Sequence, residues 1–84
     1  MSKREKLMQR FLSKPADFAW GELKSLLEGF GYSLGSGGRT GGSRVKFLHA
    51  QHPPVILHKP HPVPILKRYQ IEQITEFLKK EGLL

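Results

Sequence analysis

Apolar positions along the chain change their period twice, from helical to alternating and back. Leu7, Met8, Phe11 and Leu12 recur at spacings of one and four. They predict a short opening helix, with Ser2 and Glu5 as a capping box and Lys14-Pro15 as its stop. A second helix is predicted from Asp17 as N-cap, carrying Ala19, Leu23, Leu26, Leu27 and Phe30 on one face. Gly21 weakens it by about 1 kcal/mol relative to alanine, and Gly29 or Gly31 supplies a left-handed stop. Tyr32 to Leu34 then reads as a short strand, followed by a turn-permissive connection from Gly35 to Gly42. Ser43 to His49 alternates cleanly, Val45 and Phe47 against Arg44, Lys46 and Leu48. Val55 to His58 is the third strand, with Val55 and Leu57 opposed to Ile56 and His58. Pro60, Pro62 and Pro64 force an extended, donor-poor connector. A last helix over about 68–81 places Ile71, Ile74 and Leu78 on one face and ends at Gly82.

The order helix, helix, three strands, helix predicts an α+β fold: a three-stranded antiparallel sheet with two helices packed on one face, plus an extra short N-terminal helix. Trp20, Leu23, Leu27, Val45, Phe47, Val55, Leu57, Ile71, Ile74 and Leu78 are the expected core. Residues 1–14 read as a helical extension and 15–84 as a single domain.

Charge sharpens this picture by its location. The chain has 84 residues and a formal net charge of +7. Residues 29–71 contain no acidic side chain, carry Arg39, Arg44, Lys46, Lys59, Lys67 and Arg68, and hold all four histidines. Unopposed cations beside groups that titrate near neutrality suit a polyanion such as nucleic acid. On composition alone, a basic surface that only confers solubility is the better account. The length excludes a large enzyme, and the lack of cysteine excludes disulfides and a thiolate zinc cluster. The polar opening MSKREK leads into no long apolar run, so a cytoplasmic protein with neither signal peptide nor membrane span is expected.

Three places invite chemistry. The glycine-rich GSGGRTGGS fails the P-loop pattern, because Ser43 stands where lysine is required, and it lacks the glycine at position 40 that a dinucleotide fingerprint needs. The pairs His49/His52 and His58/His61 have no carboxylate near them in sequence to complete a metal site, so no metal or other cofactor is expected. A histidine among cations is better suited to proton transfer or phosphate contact. Lys67 and Arg68 open the last helix where its dipole is also positive, and no Ser, Thr, Asp or Asn caps it. A phosphate would relieve both defects, although a poorly capped helix is common.

Phe30-Gly31-Tyr32 closing the second helix, the run Gly42-Ser43-Arg44-Val45-Lys46-Phe47, His61-Pro62 after the third strand, and Glu81-Gly82-Leu83 at the end together resemble the HicA toxins of prokaryotic toxin–antitoxin pairs, over about residues 15–84. That resemblance implies a double-stranded-RNA-binding-domain-like fold, cleavage of messenger RNA, and a HicB-type antitoxin as partner. The family's Gly-Ser-His pattern, whose histidine is taken as catalytic, is broken here by Arg44. Arginine binds phosphate but does not serve as a base at neutral pH. The expected site therefore uses His58 as base, His61 as acid and Arg44 on the phosphate. Arg39, Arg44, Lys46, Lys59, Lys67 and Arg68 are the expected RNA contacts. Three functions stay open: a metal-independent endoribonuclease toxin, a non-catalytic RNA- or DNA-binding module on the same fold, and an interaction protein for an acidic partner.

Overall fold

The computed structural model describes residues 3–39, 44–60 and 62–84, with 36–39 as backbone. The predicted Ser2 cap, the Gly42-Ser43 pair and His61 lie outside the described residues. Three helices and three strands follow in the order α1 (Lys3–Leu12), α2 (Trp20–Gly29), β1 (Ser33–Arg39), β2 (Arg44–Leu48), β3 (Val55–His58) and α3 (Arg68–Lys80). The strands form one antiparallel sheet in the order β1-β2-β3, so the fold is α+β. Among the described residues no helix is long and apolar enough to cross a membrane.

Strand alternation divides the sheet residues as the sequence predicts. Val45, Phe47 and Val55 are buried with Trp20, Leu23 and Leu27 of α2 and Ile71, Ile74 and Leu78 of α3. Leu57 is only partly buried against that core. The Trp20 and Phe47 rings meet at 5.9 Å between centroids. Removing a fully buried phenylalanine such as Phe47 costs about 3–5 kcal/mol, since both transfer and cavity terms are lost. Phe11 and Phe18 extend the core: both are fully buried, in edge contact at 5.2 Å, so α1 contributes a side chain to the same interior.

Two starts differ from expectation. Asp17 does not cap α2. Its carboxylate is bound instead by the Arg10 guanidinium at 3.0 Å, and α2 begins at Trp20 with Ala19 as N-cap. The Glu22 carboxylate reaches back to accept the Ala19 N–H at 3.0 Å, half of a capping box. The proline-rich connector fixes this starting point. Pro64 accepts the Trp20 N–H at 2.8 Å, the Leu66 N–H donates to Phe18 at 2.8 Å, and Ala19 bridges Ile65 in antiparallel fashion. The β1 strand is also longer than predicted, running through Gly35 as far as Arg39 with a register shift between Leu34 and Arg39.

α2 and α3 end as the glycines predict. Gly31 has φ 101° and Gly82 φ 75°. Tyr32 N–H returns to the Leu27 carbonyl at 2.9 Å and Leu83 N–H to that of Leu78 at 2.9 Å, the Schellman closure.

Candidate nucleic-acid interface

The β2–β3 register pairs Arg44 with His58, Val45 with Leu57, Lys46 with Ile56 and Phe47 with Val55. Val45, Phe47 and Val55 are buried, whereas Arg44, Ile56 and His58 are exposed and Lys46 is half-buried. Arg44, Lys46, Ile56 and His58 thus share the sheet face opposite the core. Directly opposed residues hold their Cβ atoms about 4.5–5.5 Å apart, so a guanidinium and an imidazole project side by side from neighbouring strands. Among the described residues no carboxylate pairs with Arg44, Lys46, Lys59 or Lys67.

A single amide joins this pair to the start of α3. Gln70 is buried, and its Nε2 donates to the His58 carbonyl at 2.9 Å. Its Oε1 accepts the Lys67 N–H at 3.0 Å. The side chain supplies the N3 half of a capping box, although Lys67 has no acceptor for the reciprocal bond. The cap that the sequence appeared to lack is therefore partly supplied from inside the helix, and the same residue brings Lys67 and Arg68 to the His58 end of β3. Arg68 is shared with Glu72 at 3.7 Å across one helical turn, and Glu72 also takes Lys14 at 3.3 Å. Of the two cations at the start of α3, Lys67 is thus the one that no carboxylate among the described residues pairs with.

Other expected positions fall elsewhere. Arg39 closes β1 opposite Val45, and its side chain lies outside the described residues. Lys59 follows β3 and is half-buried. His61 lies outside the described residues. Gln70 and the exposed Tyr69 beside it are not among the residues the sequence points to: Gln70 stands three residues after Lys67 rather than after a Ser or Thr, and Tyr69 lies off the Ile71, Ile74, Leu78 stripe.

His49 and His52 hold the opposite end of the sheet. The Gln51 N–H donates to His49 Nδ1 at 2.9 Å, so the His49 Nε2–H must be the group facing the Phe30 carbonyl at 3.0 Å. His52 Nδ1 meets the Glu81 carboxylate at 2.9 Å. His49 lies edge-on to both Tyr32 and His52, at 4.8 and 4.7 Å. Burial, with a smaller push from Glu81, holds the Tyr32 phenol above its ordinary pKa. Among the described residues no group of three His, Cys, Asp or Glu is placed to hold a metal.

The remaining feature of the corner is a groove of about 320 Å³ between β3 and α3, running from His58 and Tyr69 to Pro54 and Phe77.

Comparison with known proteins agrees with this picture at the level of family. A family model described as the HicA toxin of bacterial toxin–antitoxin systems matches residues 20–83. Searches of curated proteins and of solved structures each returned no match.

Proposed function

The chain belongs to the HicA toxin family of bacterial toxin–antitoxin systems, and on that premise we propose that it is a metal-independent endoribonuclease that cleaves messenger RNA in the cytoplasm and is restrained by a HicB-type antitoxin. The arrangement of α2, α3 and the sheet is then that of a double-stranded-RNA-binding-domain-like fold, working on its open sheet face.

The observation that supports this reading is the cross-strand pair of Arg44 and His58, on a face to which the described strand residues contribute no carboxylate. His58 accepts the proton of a ribose 2′-hydroxyl as that oxygen attacks the adjacent phosphorus. Arg44 binds the non-bridging oxygens, whose negative charge grows in the pentacoordinate state. The bond to the 5′-oxygen breaks and His61 donates the proton that this leaving group needs. The products are a 2′,3′-cyclic phosphate and a 5′-hydroxyl end, and no water or metal enters the bond-breaking step. Lys46, Lys59, Lys67, Arg68 and Arg39 attract and align the backbone without reading bases.

Arginine in place of the family's histidine favours a second reading, in which the same face binds RNA and leaves it intact. Incubating the purified protein with a long RNA in EDTA separates the two. Fragments ending in cyclic phosphate, suppressed by 2′-deoxy substitution, support the nuclease; retained full-length RNA in a protein–RNA complex supports the binding module.

A further inference from the structure

We infer that the groove between β3 and α3 is a subsite for one unstacked nucleobase, from the nucleotide flanking the phosphate held at Arg44 and His58. The inference rests on the RNA reading above, and deepens it.

The groove has the composition a base requires. Tyr69 on α3 and Ile56 on β3 both line it, 54% and 51% exposed, so both present apolar surface to water. Ile74 and Phe77 add to the apolar lining. A base offers apolar faces to such a lining, and stacking on an aromatic ring such as Tyr69 tolerates any base. Its polar edge finds two sets of groups. Gln73, exposed on α3, carries both a donor and an acceptor. The edge of β3 supplies the other. The His58 carbonyl points away from β2, toward Gln70. In an antiparallel strand the N–H and C=O of one residue point the same way, and those of alternate residues agree. Ile56 therefore directs its N–H and C=O to the free edge of the sheet as well.

Position and size decide the occupant. His58 lines both the groove and the basic face, and Arg44 is its cross-strand partner. Lys67 and Arg68 stand just before Tyr69 at the same end. A ligand entering here passes cations, which favours a polyanion. The volume of about 320 Å³ lies at the small end of ligand pockets, suited to a nucleoside and too small for an amphipathic helix. An added protein strand is also disfavoured. β3 is four residues long, follows Pro53-Pro54, and has already given its His58 carbonyl to Gln70.

The test is binding of a short, single-stranded, uncleavable 2′-fluoro RNA, intact or with one abasic position walked along it, measured by fluorescence anisotropy. Wild-type protein is expected to lose about tenfold in affinity at one abasic position. Tyr69→Ala should weaken the intact RNA by a similar factor and abolish the abasic penalty, Tyr69→Phe should retain both, and Gln73→Ala should weaken the intact RNA less. Tyr69 is exposed, and an unchanged melting temperature confirms that its variants fold. Unchanged affinity in Tyr69→Ala overturns the subsite while leaving the RNA reading in place. Loss of affinity in Tyr69→Ala for a protein partner alone assigns the groove to that partner and overturns the subsite. No binding of the RNA by wild-type protein at low salt overturns the subsite and the RNA reading together.

Discussion

Gln70 and His58 are joined by a 2.9 Å hydrogen bond from the Gln70 amide to the His58 carbonyl, made by a buried side chain whose oxygen at the same time caps α3 at Lys67. The strand that carries the candidate base and the helix that begins with two cations are thereby held in fixed relation. Replacing Gln70 with leucine preserves bulk and leaves two polar backbone groups without their partner, a cost of about 1–3 kcal/mol. The expected result is a lower melting temperature, and a loss of RNA cleavage that persists at temperatures where the variant remains folded. Loss of stability with undiminished cleavage would show that the link is structural alone.

Arg44 should act on RNA as a phosphate contact. Arg44→Ala is expected to weaken binding uniformly across sequences and to reduce the slope of log affinity against log salt by about 0.7, the contribution of one single-strand phosphate contact. Anisotropy titrations at several salt concentrations measure both quantities. A variant that changes sequence preference instead would place Arg44 on a base.

The packing of α1 on α2 should weaken in acid. The Glu22 carboxyl lies below its ordinary pKa of 4.5, chiefly because Arg10 hydrogen-bonds to it and then because the Ala19 N–H does so. A lowered folded-state pKa stabilises the fold above the unfolded value, and that contribution is lost as pH falls through the folded value. Thermal melts from neutral pH down to about pH 3 should therefore show falling stability across and below the usual carboxylate range. Glu22→Gln should begin lower at neutral pH and show a shallower acid limb.

Gly31 combines φ 101° with a close neighbour: a Cβ there would meet His49 Nε2 at 2.7 Å. The imidazole cannot simply withdraw, being bonded at both nitrogens to the Phe30 carbonyl and the Gln51 N–H. Gly31→Ala should cost about 2 kcal/mol or more in chemical denaturation. Adding His49→Ala should recover the steric part and leave the backbone part, so the two substitutions should be non-additive.

What could be read from the chain, and what could not, follows from the range of the interactions involved. Alternation in 44–48 and 55–58 sorts side chains into a buried and an exposed set using neighbours alone, which is why Val45, Phe47 and Val55 were foreseen as core and Arg44 and His58 as outward. That Arg44 stands opposite His58 is a property of register, set by pairing between distant residues. The alternating pattern stops at Leu34, short of the end of β1 at Arg39, because Gly35, Gly37 and Gly38 have no side chains with which to alternate. The start of α2 depends on Pro64 and Ile65, more than forty residues away, so a local rule chose Asp17. Phe18 and Leu66 enter the core through that same contact. Gln70 is silent in the sequence because a glutamine without a Ser or Thr three residues earlier does not advertise a capping box.

The proposed cleavage turns on His58 taking the proton that Arg44 cannot. The most direct measurement compares cleavage and binding of one RNA by wild-type protein and His58→Ala in EDTA, with the melting temperature as a check on folding. His58→Ala should bind the RNA with nearly unchanged affinity and produce no 2′,3′-cyclic-phosphate fragments. Undiminished cleavage by a folded His58→Ala protein would contradict it.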